Sequence, residues 1–301
     1  MSAWFKLHGC RAALILLAGW LAMAAPAMAE CDLRLTQSPP PIRIDYDPFA
    51  AILTPGALDI EFANAADTEC EAEIVLTDLN GAPLTEILLE GVNIAVDPRQ
   101  SSGLRRTELT AFVYALVVPA TGRAAAQFDL SVAAPLVLRP GLYAHEIRLL
   151  VRRPAGEPLL APIPVSLNLN TPPRAQLNIA GAAGAFGSTS SVEMIDFGEA
   201  ETGAVRRAFL QVRANTDSTL TFVSENKGKL AHETFGADQG VSYAVEVDGR
   251  SIALDQLYRM EVAPPLTIEG VSLPMVLTLG EVQGAMSGGY KDLLTISISP
   301  N

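Results

Sequence analysis

The chain of 301 residues carries 21 basic and 33 acidic residues, which gives a formal net charge of −12. Apolar residues make up 49% of the sequence and aromatic residues only 6%, while Gly (23) and Pro (21) are frequent. The acidity argues against nucleic acid as a partner, because phosphate binding requires a basic surface. Frequent turn residues between short apolar runs are typical of an all-β protein.

Residues 1–29 have the pattern of a secretory signal peptide. Lys6 and Arg11 precede an apolar run, and the Ala-Met-Ala sequence at residues 27–29 matches a cleavage site. The apolar run is shorter than the roughly 20 residues that span a bilayer, so we expect no transmembrane segment in the mature chain. We therefore predict export through the periplasm to the cell surface, with a retained membrane anchor as the alternative.

Signal cleavage would remove Cys10 and leave Cys31 and Cys70. An even pair of cysteines in an oxidising compartment predicts one disulfide. A metal site is the weaker interpretation, because His145 and His232 do not stand at ligand spacing from a cysteine or from each other. We expect neither a metal nor a cofactor.

Alternation with a period of two dominates the rest of the chain and predicts strands. In the second half, Asp248 and Gly249 separate two such runs and predict a two-residue hairpin. The one helix that we predict is short, at residues 255–260, and two prolines follow it at 264 and 265.

The Asn-Thr-Pro-Pro sequence at residues 170–173 predicts a stiff connection between two domains, within residues 168–174. Just before it, Val165, Leu167 and Leu169 alternate on one face of a predicted strand. We expect this strand to be the last one of the first domain, which would then be complete.

Two sequence markers occur once in each half of the chain. The Ile-Asp-Tyr sequence at residues 44–46 is matched by Ile-Asp-Phe at 195–197, which lies 151 residues later. Tyr143 is matched by Tyr290, 147 residues later, and a strand-like run follows each tyrosine. The repeat predicts two β-domains, at residues 30–170 and 171–301.

The order of these motifs resembles the spore coat protein U domain family. In the first half, Cys31 is followed by Ile-Asp-Tyr-Asp-Pro-Phe at residues 44–49, a turn at Gly56, an alternating strand and Cys70. In the second half, Ile-Asp-Phe-Gly at 195–198 and Gly-Gly-Tyr-Lys-Asp at 288–292 are similar to the body and end of the same domain, although this copy lacks the cysteines.

The family consists largely of subunits of archaic chaperone-usher pili. The resemblance implies two immunoglobulin-like (pilin-like) β-sandwich domains in tandem, the second lacking its last strand. The missing strand would leave an apolar groove and unpaired backbone groups, which a segment of another chain fills by donor-strand complementation. Candidate residues of the terminal strand and its groove are Tyr290, Leu294, Ile296 and Ile298.

The same resemblance implies the partners and the position in the fibre. The partners would be a periplasmic pilus chaperone, an outer-membrane usher and the donor strand of the adjacent pilin. Cys31 follows the predicted cleavage point by one residue, which leaves no donor arm, and the sequence stops three residues after Ile298. We therefore expect a tip subunit (adhesin) that mediates surface attachment and biofilm formation.

Contact with an abiotic or host surface would use exposed apolar residues in turn-rich segments of the first domain. Core packing is the alternative interpretation for each of them. The candidates are Phe49, Ile52, Leu84, Leu88, Leu159 and Leu160.

Functions from other classes stay open at this point. A free-standing secreted or periplasmic β-sandwich binding protein, or a spore or cell coat component, has the same composition. A two-domain periplasmic chaperone fits less well, because such chaperones resemble each other in a basic anchoring site. We expect no enzyme, since the sequence has no nucleophile elbow, Walker loop or metal-binding histidine pair, and no two carboxylates are singled out as a catalytic pair.

Overall fold

A computed structural model describes residues 31–133, 136–154, 156–180 and 192–301. The predicted signal peptide lies outside the described residues and stays a prediction. Within those residues the chain is all-β, as predicted, and its only helical element is a 3₁₀ turn at Gln100–Ser102.

The described residues of the first half form eleven strands in two sheets. The strands are β1 (Leu33–Leu35), β2 (Ile42–Asp45), β3 (Thr54–Asn64), β4 (Cys70–Thr77), β5 (Ile87–Leu89), β6 (Val92–Pro98), β7 (Arg105–Arg106), β8 (Val113–Val118), β9 (Arg123–Val132), β10 (Gly141–Arg152) and β11 (Ile163–Thr171). One sheet has the order β1-β3-β9-β6-β5 and the other β2-β11-β10-β4-β8-β7. Their inward-facing side chains form the first core, in which Tyr114 and Phe128 pack edge to face with ring centroids 4.9 Å apart.

In the second half, the residues that the structure describes form ten strands around a separate core. They are β12 (Ala175–Ile179), β13 (Val205–Ala214), β14 (Ser218–Ser224), β15 (Lys229–His232), β16 (Gly236–Val247), β17 (Arg250–Ile252), β18 (Tyr258–Val262), β19 (Val271–Leu279), β20 (Tyr290–Lys291) and β21 (Leu294–Pro300). A large sheet has the order β12-β13-β19-β16-β15-β20, with β17 paired to β16, and a small sheet has the order β18-β14-β21.

Most strand expectations are met, and two local ones need correction. The hairpin predicted at Asp248 and Gly249 joins β16 to β17, and both residues have positive φ (51° and 74°), as a type I′ turn requires. The helix predicted at residues 255–260 is wrong: Tyr258–Val262 is β18, which pairs with β14 and buries Met260. Sheet pairing overrides the helix propensity of this short segment.

The connection predicted at residues 168–174 is also shorter than expected. Its first four residues belong to β11, which ends at Thr171, so that only residues 172–174 separate β11 from β12. The strand predicted from the alternation of Val165, Leu167 and Leu169 is confirmed, and all three side chains are buried.

The disulfide predicted between Cys31 and Cys70 is present, with the two Cα atoms 5.2 Å apart. Its sulfur atoms join the segment before β1 to the start of β4, and Cys70 is fully buried. The bond therefore fixes the N-terminal segment of the described chain to the first core.

We predict that replacing both cysteines (Cys31→Ala with Cys70→Ala) lowers the free energy of unfolding of the first half by about 3 to 4 kcal/mol, because the unfolded chain loses a loop constraint. Differential scanning calorimetry should show a lower Tm for one transition and no change in the other. A reducing agent should lower the Tm of the parent protein but not that of the double variant. Equal Tm values for the parent and the variant would contradict the prediction.

Candidate functional site: an open groove beside the last strand

The terminal strand β21 is an edge strand. Among the described residues it pairs only with β14, through contacts that run from Ser224 opposite Leu294 to Ser218 opposite Pro300. Leu294, Ile296 and Ile298 point toward the second core but stay only half-buried. An edge strand exposes a row of backbone N–H and C=O groups that can pair with another strand.

The corresponding strand of the first half is covered on both edges. β10, which follows Tyr143, pairs with β4 on one side and with β11 on the other. The side chains that correspond to the three half-buried residues of β21 are Ile147, Leu149 and Val151, and each is at most 1% exposed. Among the described residues, the difference between the halves is therefore a strand in the position of β11.

β2, the other neighbour of β11, also differs from its counterpart in the second half. β11 runs parallel to β2, and Tyr46 donates its backbone N–H to the carbonyl of Asn170 over 2.8 Å. In the second half, the matching segment is residues 192–197, which form no strand. No hydrogen bond between two backbone groups joins this segment to another described residue. The Ile-Asp motif thus belongs to a strand in the first half, where β11 pairs with it, and is irregular in the second half, where no pairing strand is described.

Between β21 and residues 192–197 lies a groove with a volume of about 130 Å³ that is partly open to solvent. We call this feature the acceptor groove. Its lining is mostly apolar and includes the predicted residues Leu294 and Ile296. The lining residues are Ile179, Glu193, Ile195, Phe197, Leu230, Tyr243, Met275, Leu277, Asp292, Leu293, Leu294 and Ile296.

Of the remaining predicted groove residues, Ile298 lies further along β21 and packs against the second core. Tyr290 lies in β20 and contacts the ring of His232 edge to face, with centroids 5.0 Å apart. Gly288, with φ of 153°, passes so close to this ring that a Cβ atom would overlap it. Gly288, two residues before Tyr290, is therefore required by packing at this end of the acceptor groove.

Asp292 stands where the chain leaves one sheet for the other, between β20 and β21. Its carboxylate accepts hydrogen bonds from the hydroxyls of Ser224 (2.6 Å) and Tyr243 (2.5 Å). The backbone N–H and the side-chain amide of Asn226 donate to it as well, over 2.9 and 3.0 Å. Charge-assisted bonds of this kind are among the stronger ones in proteins, so we assign Asp292 the role of fixing the switch between sheets.

Burial, followed by the hydrogen bond to Asp292, raises the pKa of Tyr243 well above its ordinary value. Burial also raises the pKa of Tyr114, in the first core, to about 12. In both cases the folded state favours the neutral phenol, because an ionised phenolate would lose its hydration.

The six predicted surface-contact residues differ in exposure. Ile52 is 78% and Leu88 47% exposed. Leu84, Leu159 and Leu160 are half-buried and pack against the first core, so core packing accounts for them.

Phe49 departs from the expectation of an exposed loop, because it is only 8% exposed. The guanidinium of Arg213, from the second half, lies over its ring at 4.9 Å from the centroid. Asp47, in the same loop, accepts a hydrogen bond from Arg174 over 3.3 Å. This loop joins the two halves instead of facing solvent.

Strand directions also separate the predicted contact segments. The 46–53 connection and the turn between β5 and β6 lie at the end of the first sandwich where β11 leaves at Thr171. The 153–162 connection lies at the opposite end. The exposed side chains of Ile52 and Leu88 are therefore at the end from which the chain continues to the second half, and their contact role stays a prediction.

Glu193 and Asp292 are the charged residues of the acceptor groove, and we did not select them from the sequence. The repeat would have indicated them, since Glu193 stands 151 residues after Ile42 and Asp292 stands 147 residues after His145. Both positions lie next to the markers that reveal the repeat.

No family model matches the chain, and no curated protein matches it in sequence. Among solved structures, the chain is similar to the CsuC–CsuE chaperone–tip adhesion subunit complex of the Csu pili of Acinetobacter baumannii, with 10% identity and a TM-score of 0.44 over 77% of this chain and 84% of that one. It is also similar to the CupB6 tip adhesin of Pseudomonas aeruginosa, with 11% identity and a TM-score of 0.33 over 88% and 94%.

A variant of the CfaE adhesin of enterotoxigenic E. coli has 10% identity and a TM-score of 0.33 over 89% of this chain and 78% of that one. At these identities and scores we draw no functional conclusion from the likeness. In the part of the chain that the structure describes, no helix is long and apolar enough to cross a membrane. No group of three or more His, Cys, Asp or Glu residues in that part is placed to hold a metal ion.

We predict that Tyr243→Phe lowers the stability of the second half by about 1.5 to 3 kcal/mol at neutral pH, because Asp292 loses a donor. The parent should lose stability as the pH rises above about 10, the pKa of an unperturbed tyrosine, because the unfolded state then releases a proton that the folded state retains. Tyr243→Phe should lose less over this interval, as measured by urea unfolding at pH 8 to 11.

Tyr114→Phe provides the matched control for this experiment. It should reduce the alkaline loss of stability of the first half only. If Tyr243→Phe and the parent lose the same amount of stability in the second half between pH 9 and 11, Tyr243 is not the group that titrates.

Proposed function

We propose that the chain is an adhesive subunit of a chaperone-usher pilus, whose second half is completed by an extended strand from another protein. The observation that carries the proposal is the acceptor groove, open beside β21 where β11 fills the matching position in the first half. The proposal assigns the chain a binding and structural role and no catalysis.

The first half supplies a template for what the acceptor groove would hold. β11 lies antiparallel to β10 and parallel to β2, and it directs Ile163, Val165, Leu167 and Leu169 into the core. A donor strand with the same alternation would pair with β21 and with residues 192–197 in the same way. Burying each such aliphatic side chain is worth about 1.5 to 3 kcal/mol relative to exposure.

The finer parts of the proposal extend this binding mode. A periplasmic chaperone would fill the acceptor groove before assembly, an outer-membrane usher would receive the complex, and the donor strand of the adjacent pilin would replace the chaperone. The first half is closed by its own β11 and is additional to what a shaft subunit needs, which favours the tip of the fibre. Attachment to a surface, biofilm formation, export and membership of the spore coat protein U domain family are parts of the same proposal.

We predict that a strand supplied in cis stabilises the second half. The chain from residue 30 onward is extended after Asn301 by a flexible linker of about ten residues, comparable to the connection between β10 and β11, and by a copy of residues 163–171. Calorimetry should show the Tm of the second half rising by at least about 10 °C, because several kcal/mol of apolar burial is added. The Tm of the first half should not change.

The matched control carries the same extension with Val165→Asp and Leu167→Asp in the copied strand. This version keeps the length and the backbone but cannot fill the apolar groove, so it should leave the second transition where it is in the parent. A parent protein whose second half is already as stable as that of the extended chain would favour the alternative, a free-standing secreted β-sandwich binding protein.

A further inference from the structure

We call a level of the acceptor groove the set of residues that would face one inward-pointing side chain of a strand in the position of β11. At one level, the acceptor groove has charged residues that its counterpart in the first half lacks. In the first half, Leu167 of β11 lies opposite His145 of β10 and opposite Ile42 of β2. The two repeat offsets, 147 and 151 residues, carry these neighbours to Asp292 and Glu193 in the second half. Both of these acidic residues line the acceptor groove. A strand inserted in the register of β11 would therefore place one side chain between two carboxylates.

The adjacent levels of the acceptor groove are apolar. Leu169 of β11 lies opposite Tyr143 and Ile44, which correspond to Tyr290 and Ile195. On the other side, Val165 lies opposite Ile147, which corresponds to Leu294. The level of Glu193 and Asp292 is thus charged, whereas the levels on either side of it are apolar.

The two carboxylates are not equivalent. Asp292 already receives hydrogen bonds from Ser224, Asn226 and Tyr243. The side chain of Glu193 has no hydrogen bond or ion pair with another described residue and is half-buried. Arg206, which contacts the same segment, donates to the backbone carbonyls of Asp196 and Phe197 and makes no ion pair with Glu193 among the described residues.

A strand that covers Glu193 would remove water from this carboxylate. An aliphatic side chain at this level would leave the charge buried and unpaired, which is costly, whereas a cationic side chain would pair with it. The charges that line the acceptor groove are all negative, so the complementary occupant is basic at this level.

We propose that the acceptor groove selects a donor strand with a Lys or Arg at the level of Leu167 and aliphatic residues at the flanking levels. The occupant is a segment of a partner protein, and the inference rests on the proposed function because it names the chemistry of the same site. Glu193 is the specificity residue, and Asp292 sets the local potential through its fixed carboxylate.

The test uses three extended chains that differ only in the fused copy of residues 163–171. One copy is unchanged, one carries Leu167→Lys, and the matched control carries Leu169→Lys, which places the same charge one level away, opposite Ile195 and Tyr290. Each is combined with Glu193 and with Glu193→Ile, the residue found at the matching position 42. The readout is the Tm of the second half.

With Glu193 present, the Leu167→Lys copy should give a Tm at least about 3 °C above that of the unchanged copy, and added salt should reduce the difference. With Glu193→Ile, the order should reverse. The lysine then loses its unpaired acidic partner and faces an isoleucine, while the carboxylate of Asp292 already accepts hydrogen bonds from Ser224, Asn226 and Tyr243. The Leu169→Lys copy should be the weakest in both backgrounds.

Two outcomes would overturn the inference while leaving the proposed function intact: the unchanged copy is the most stabilising with Glu193 present, or Glu193→Ile leaves the order unchanged. If no copy, including the unchanged one, raises the Tm of the second half, the proposed function itself fails and the inference fails with it. The unchanged copy therefore separates the two failures.

Discussion

The structure depends on the hydrogen-bond requirement of one strand in each half, the strand that follows Tyr143 or Tyr290. Such a strand needs a neighbour on both edges to satisfy its backbone and to bury its apolar face. β10 has two neighbours, and its residues Ile147, Leu149 and Val151 are fully buried. β21 has one among the described residues, and its inward-facing side chains remain half-buried. The contrast arises within one chain, so composition does not explain it.

The sequence predicted those structural features that depend on a local residue pattern. Alternation predicted the strands, β11 among them, and Asp248 and Gly249 predicted a hairpin. It failed where pairing decides the outcome: residues 258–262 become a strand because β14 offers an edge, and Phe49 is buried because Arg213 of the other half covers it. Both outcomes depend on neighbours distant in sequence, which local patterns do not contain.

The acceptor groove was predictable in position but not in its polar chemistry. Leu294 and Ile296 follow from alternation, whereas Asp292 and Glu193 depart from it at positions where the first half has His145 and Ile42. A buried carboxylate lowers stability unless it is paired, and this cost is what allows it to discriminate between occupants. A groove lined by aliphatic residues alone would accept any alternating strand, and would offer less discrimination against the edges of unrelated sheets.

The two halves are also linked through the strand that closes the first one. β11 pairs in parallel with β2. The hydrogen bond from the backbone N–H of Tyr46 to the carbonyl of Asn170 extends this pairing to the first residue of the loop that follows β2. This loop presents Asp47 to Arg174 and Phe49 to Arg213, two arginines at the start of the second half and in β13. β13 pairs with β12, whose Ile179 lines the acceptor groove. A continuous series of contacts thus runs from β11, through the loop that follows β2, to the strands that form one wall of the acceptor groove.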